Sequence, residues 1–401
     1  MRKTQKKSVT KMKNNTFRRL FMLLSFLIGT VFCLLSLVHC EDDKPIGRLR
    51  GVNAHAGLTE KDIKYLSEEW NVNLVRLMLN RNIKIQDRPN FNPTDMVSYD
   101  QWLDGELKKL EEIVPVCEKY GIKVLIALLS APGSELSQAG RQCARGRFFT
   151  ERKYQKRFLE IWEGLANKYK DSKAIWGYDL LNEPIPPRQK MEGLAGSEYN
   201  VKEADRGGES DEPAIDWTTL QEQTVKMVRS IDPHHAIIVE VDQSFNPANF
   251  NNFRPIDDPN IVYSCHMYSP TEVTMPSRSA DPGATTAVYP GIIKNKMWDK
   301  RELEKVLQPA IDFQKKYDAR IYIGEFSCNR WAPENTAYRW LKDCVEIFEK
   351  HNFDWTYHAF RESDGWSVEH DEIKKNRAPA PKRTEREKLL RKYFAENKLL
   401  R

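Results

Sequence analysis

Asn182-Glu183-Pro184 closes an apolar run, GYDLL, that otherwise reads as a buried strand. A second ending of the same kind, Gly324-Glu325-Phe326, closes RIYIGEF. Apolar strands do not ordinarily finish on a carboxylate, because a buried charge is costly unless something pairs with it. Two carboxylates held at two strand ends meet the needs of glycoside hydrolysis. One carboxyl protonates the departing oxygen, and the other attacks the anomeric carbon or activates water. The two must be electrostatically different. A carboxylate beside an arginine stays ionised and suits attack. A carboxyl with less cationic support keeps its proton nearer neutrality and suits the acid.

The arginine is offered by LVRLML, where Arg76 shares parity with Leu74 and Met78. IVYSCHMY carries His266 and Tyr268 on one face, and DWTYHAFR carries Tyr357, His358 and Arg361 near its end. Taken singly, each has an ordinary explanation as a structural ion pair or a satisfied core residue. Taken together at one mouth, so many ionisable groups are hard to account for by packing. Strict strand alternation sends Asn182 and Glu183 to opposite faces, so bringing both into one cleft requires a bulge at the strand's end, where Pro184 stops the ladder. Ten Trp and fifteen Tyr provide rings for sugar stacking or for the core. Trp162, Trp176 and Trp340 fall in regular patterns and are expected inside. Trp298, Trp331 and Trp366 lie in or beside loops and are the cleft candidates.

The elements that must position these residues alternate. Strand candidates are residues 50–55, 74–79, 123–129, 174–181, 236–241, 261–268, 320–326 and 354–360, rich in Val, Ile, Leu and aromatics as strands buried on both faces should be. Amphipathic stretches separate most of them. TEKDIKYLSEEW opens with Thr59 and, three residues on, Asp62, a capping box, and a longer helical stretch stops at Gly121. Between the fifth and sixth strands the connecting helix must be short or broken. The pattern predicts a single (β/α)8 TIM barrel in the α/β class over residues 41–370, with long loops after strands 4 and 6 and a linker and C-terminal helix over 371–401. The two loops, 185–215 and 269–298, emerge at strand C-termini, where barrel sites are built, and are expected to wall the cleft.

Composition bounds the remaining possibilities. The chain has 401 residues, 40% hydrophobic and 30% charged, with a formal net charge of +6. Residues 1–40 hold eight Lys/Arg and no acid, so the rest carries 55 basic against 57 acidic residues. Nothing there points to a nucleic-acid surface. The basic start runs into LFMLLSFLIGTVFCLLSLVHC, long enough to cross a bilayer, and reads as an export signal or signal anchor. Cys40 and the EDD after it resemble a lipoprotein anchor and export tag, so a secreted or surface-tethered protein is expected. Seven scattered cysteines form no disulfide framework and no Cys-x-x-Cys pair. Metalloprotease, serine-hydrolase, Walker and dinucleotide motifs do not occur, and no cofactor or metal is required.

WEGLANKYKDSKAIWGYDLLNEP and YIGEFS closely resemble the hallmark segments of glycoside hydrolase family 5, the cellulase-type retaining enzymes, and the resemblance runs over residues 49–362. It implies Glu183 as general acid/base and Glu325 as nucleophile. It also implies Asn182 on the sugar 2-hydroxyl, His266 and Tyr268 flanking the nucleophile, and Arg76 keeping it ionised. Two positions depart from the family. LLSAPG gives Ser130 where a His is common, and His358 stands where the family usually has the Trp that floors the central sugar subsite. Trp355, Trp331 or Trp366 would then supply the aromatic plate. The expected activity is retaining hydrolysis of a β-linked polysaccharide, endo-β-1,4-glucanase-like, by a monomer whose partner is its saccharide substrate. Mannan, xyloglucan, β-1,3-glucan or a glycolipid are alternatives for the same site, and a non-catalytic glycan-binding protein is the alternative of another class.

Overall fold

The computed structural model describes residues 47–82, 94–136, 142–186, 212–275 and 287–398. The chain divides into Met1–Gly47 and Arg48–Arg401, and the architecture below is that of the second unit. The leader, Cys40, most of the first long loop and residues 276–286 of the second lie outside the described residues.

Eight parallel strands close into a barrel: β1 Arg50–His55, β2 Leu74–Leu79, β3 Lys123–Leu128, β4 Ile175–Asp179, β5 Ala236–Glu240, β6 Ile261–Met267, β7 Arg320–Phe326 and β8 Asp354–Tyr357. Their spatial order follows the chain, and β8 pairs with β1. The outward residues of each strand, such as Val75 and Leu77 on β2 or Ile321 and Ile323 on β7, join one apolar shell with the helices. Closing the sheet in this way leaves the inward positions to a second, partly polar interior.

Helices follow the strands. Glu60–Glu68 starts on the expected capping box, with the Thr59 side chain accepting from the Asp62 backbone and Asp62 accepting from Thr59. Met96–Lys119 ends just before Gly121, which takes a positive φ. The unit after β5 has only a short 3-10 helix, Pro247–Asn252, as its polar, Pro-containing segment dictates. At the C-terminus Glu385–Phe394 docks on the barrel exterior, where Phe394 packs against Trp70 and Trp355 at ring distances of 6.0 and 5.3 Å.

Strands four and eight are shorter than expected, ending at Asp179 and Tyr357. Past those points regular pairing gives way to scattered backbone bonds, such as Asn182 N–H to Leu128 O at 3.0 Å and His358 N–H to Phe326 O at 3.1 Å, as the chain carries polar groups to the mouth. Of the two long loops, the described parts include the turn Thr271–Thr274 and a two-stranded hairpin, Gly291–Ile293 with Lys296–Trp298. Among the described residues no helix is long and apolar enough to cross a membrane.

Candidate active site

Arg76 organises the interior. It is fully buried, and its five N–H groups all find acceptors. Nε donates to Asp179 Oδ2 at 2.8 Å. Nη1 donates to Asn53 Oδ1 at 3.0 Å and Glu325 Oε1 at 2.9 Å. Nη2 donates to Asn182 Oδ1 at 2.9 Å and Glu240 Oε1 at 3.0 Å. One fork-shaped cation thereby ties β1, β2, β4, β5 and β7 together.

Glu325 needs a break in β7 to face this interior. Its pairing with β6 shifts register between Ile323 and Phe326. Phe326 can then point outward onto Phe348 and Trp355 while Glu325 turns inward. The Gly324 carbonyl, released from the ladder, accepts from Asn53 Nδ2 at 2.8 Å and Thr356 Oγ1 at 2.7 Å. Gly324 must be glycine, because a Cβ there would lie 2.9 Å from His266 Nε2. The bulge expected beside Glu183 is therefore on the other carboxylate's strand. Glu183 enters the cleft by a different device: β4 stops at Asp179, and Glu183 takes a left-handed φ of 45°. Its backbone N–H donates to Glu240 Oε2 at 2.7 Å, which holds that turn.

The two glutamates then meet. A Glu183 carboxylate oxygen, a Glu325 carboxylate oxygen and a His266 ring nitrogen lie within 4.8 Å of one another. His266 Nδ1 contacts Glu183 Oε1 at 2.9 Å, and its Nε2 faces Glu240 Oε1 at 3.2 Å. Tyr268 O–H donates to Glu325 Oε2 at 2.9 Å. His358 Nδ1 lies 3.4 Å from the same oxygen. These three side chains could converge on a cation, yet their atoms are already engaged with one another, Arg76 and Tyr268, and paired-carboxylate chemistry calls for no metal.

Burial alone would raise the pKa of Glu325. The positive charges of His358, His266 and Arg76, with the Tyr268 hydrogen bond, outweigh it and bring the carboxyl down to about 2. Burial would lower the pKa of His266, but Glu240, Glu325 and Glu183 raise it well above the usual histidine range. Burial raises Asp179 to about 7 against the pull of Arg76, with Glu240 adding to the rise.

Other expected residues divide. Trp366 stands at the mouth, its ring 6.3 Å from Tyr268 and 6.2 Å from His358, two of the side chains around Glu325. Trp331 backs that turn, lying against Gly365 under the cations of Arg330 and Lys374. Trp355 faces outward onto Phe326 and is no plate for a sugar. Tyr357 and Arg361 do not join the mouth as expected. Tyr357 packs outward on Phe326, because β8 alternates there. Arg361 is exposed and pairs with Asp62 at 2.7 Å and Glu369 at 3.0 Å. Trp162, Trp176 and Trp340 are buried. Ser130 is buried too, its Oγ accepting from the Arg81 backbone.

Sequence reasoning passed over Asp179, Glu240, Asn53, Ser244 and Glu362. Glu240 could have been found, since it ends an apolar strand as Glu325 does. Ser244 O–H donates to Glu240 Oε2 at 2.6 Å.

A closed (β/α)8 barrel with two glutamates facing one another at the strand C-termini is the architecture of a glycoside hydrolase. Residues 40–364 match the family model Cellulase (glycosyl hydrolase family 5), and the chain belongs to that family. It is 25% identical over 326 residues to Endoglucanase C of Acetivibrio thermocellus, covering 75% of this chain and 84% of that protein. It is 25% identical to Cellodextrinase A of Ruminococcus flavefaciens, covering 73% and 75%. A structure of Thermotoga maritima Cel5A with cellobiose superposes with a TM-score of 0.57 at 19% identity, covering 85% of this chain and 96% of that one.

Proposed function

We propose that the protein is an endo-β-1,4-glucanase that works by double displacement with retention, using Glu325 as nucleophile and Glu183 as acid/base. The carrying observation is that a carboxylate oxygen of Glu183 and one of Glu325 lie within 4.8 Å of each other. Inverting enzymes keep their carboxyl groups about 6.5–9.5 Å apart to admit a water, whereas retaining ones need about 5–5.5 Å. Glu325 is buried, doubly hydrogen-bonded and held ionised, as an attacking carboxylate should be. Glu183 is more open, its side chain 32% exposed, so a leaving oxygen and then a water can reach it. In the first half-reaction Glu325 attacks the anomeric carbon while Glu183 protonates the departing oxygen. In the second, Glu183 takes a proton from water and the water displaces Glu325. Asn182, His266 and Tyr268 hold the sugar and the nucleophile, with Trp366 as the ring beside the central subsite.

The curated relatives named endoglucanase and cellodextrinase support β-glucan as substrate. The test is digestion of soluble cellulose derivatives, following viscosity and reducing ends together. Internal cleavage drops viscosity before reducing ends accumulate, and NMR shows the β-anomer first. Glu325→Gln and Glu183→Gln each abolish most hydrolysis while the barrel stays folded. Near-native rates in both variants overturn the assignment. The leader supports a further proposal, export and tethering at the cell surface through Cys40, tested by fractionation of wild type against Cys40→Ser.

A further inference from the structure

Each catalytic carboxylate has a histidine, and each histidine has a second carboxylate behind it. For Glu183 the pair is His266 and Glu240, described above. For Glu325 it is His358 and Glu362: His358 Nδ1 lies 3.4 Å from Glu325 Oε2, and its Nε2 lies 2.8 Å from Glu362 Oε2. All three side chains are nearly buried, 5% exposed for His358 and 9% for each glutamate. His358 thus lies between two carboxylates at ion-pair distance, one at each ring nitrogen. Carboxylates that close on both sides favour the imidazolium over the neutral ring. His55 Nε2 lies 3.6 Å from Glu362 Oε1, on the side of the rim.

We propose that Glu362 is a positioning residue that, through His358, keeps a cation against Glu325 Oε2 and so speeds release of the sugar from Glu325. The inference rests on reading Glu325 as the nucleophile. In the second half-reaction water bonds to the anomeric carbon and gives its proton to Glu183. The bond from that carbon to Glu325 breaks, and its electron pair returns to the Glu325 carboxylate. A cation beside the departing oxygen stabilises that charge. In the first half-reaction the same cation stabilises the free carboxylate before it attacks and lends it less reactivity. The two halves are therefore pushed in opposite directions. A merely structural pair would lower both.

The probe is 2,4-dinitrophenyl 2-deoxy-2-fluoro-β-cellobioside, which traps the glycosyl-enzyme. Wild type, Glu362→Gln and Glu362→Asp are loaded, freed of excess reagent, and followed by mass spectrometry and by return of activity. Glu362→Gln is expected to reactivate about tenfold more slowly or worse, the scale of losing a close buried charge pair. It should load at least as fast as wild type, and Glu362→Asp should recover most of the reactivation rate. His358→Gln should slow reactivation similarly, with no further loss in the double variant. An adduct on Glu325 that turns over equally in wild type and Glu362→Gln, or loading and reactivation that fall together, overturns the role of Glu362. Absence of any adduct on Glu325 in active wild type instead overturns the nucleophile assignment.

Discussion

The backbone N–H of Glu183 donates to Glu240 Oε2 at 2.7 Å, so one buried carboxylate holds the left-handed turn that carries the other. Glu240 also receives Ser244, Arg76 and His266. In Glu240→Gln the shape persists, but the acceptor set that fixes both Glu183 and its histidine is weakened. Misplacing a proton donor by about an ångström can cost roughly a hundredfold. We expect kcat on aryl β-cellobiosides with poor leaving groups to fall tenfold to a hundredfold, with KM nearly unchanged. With 2,4-dinitrophenolate as leaving group, where no proton is needed, formation of the glycosyl-enzyme should be barely affected. Equal losses across the series would detach Glu240 from the acid's placement.

Small anions separate the two carboxylates. In Glu325→Ala, hydrolysis should fall by about three orders of magnitude or more. Azide can fill the vacated space and attack from that face, giving the α-glycosyl azide from a β-glycosyl fluoride. In Glu183→Ala, an activated aryl glycoside still forms the glycosyl-enzyme, and azide entering from the Glu183 side gives the β-glycosyl azide. NMR of the products reads the anomer directly. Exchanged products would swap the two roles.

The barrel and its carboxylate pair were legible because both rest on local rules. Double-sided burial makes apolar strands, and a charge at the end of such a strand stands out against that background. What escaped was set by partners distant in the chain. Glu240 stands out as a charge ending an apolar strand, but its role as shared acceptor exists only where Arg76, His266 and the Glu183 amide converge on it. Glu362 reads as loop charge until β8 brings His358 between it and Glu325. The break expected at the end of strand four is a left-handed turn at Glu183, and the bulge before Glu325 escaped because a lone carboxylate in Gly-Glu-Phe gives alternation no conflict to resolve. Tyr357 and Arg361 show the reverse error: proximity to a strand's end is not direction, and one side chain turned to the shell while the other found Asp62 and Glu369.

Arg76 should be more costly to remove than any partner. Arg76→Leu leaves Asp179, Glu240 and Glu325 buried around an apolar side chain. Breaking a buried ion pair on one side typically costs about 3–5 kcal/mol. Arg76→Lys keeps the charge but cannot fill five acceptors from a planar fork, so it should recover only part of the loss. The midpoint of urea unfolding is the measurement, and a midpoint within error of wild type for Arg76→Leu would remove it as the organiser of the interior.

The depressed pKa of Glu325 also sets how stability follows pH. Its folded value is about 2, held there against burial by His358, His266, Arg76 and Tyr268. The unfolded chain restores an ordinary glutamate near 4.3. A group whose folded pKa lies below its unfolded one contributes stability that is complete above the unfolded value and disappears as pH falls through the folded value. For Glu325 the window runs from about pH 4 down to about pH 2. Wild type should lose stability steeply across it, and Glu325→Gln, with nothing to titrate there, should show a shallower slope. Urea midpoints at half-unit intervals from pH 2 to 6 compare the two. Parallel curves would mean that Glu325 titrates alike in the folded and unfolded chain, and that the three cations do not hold its charge.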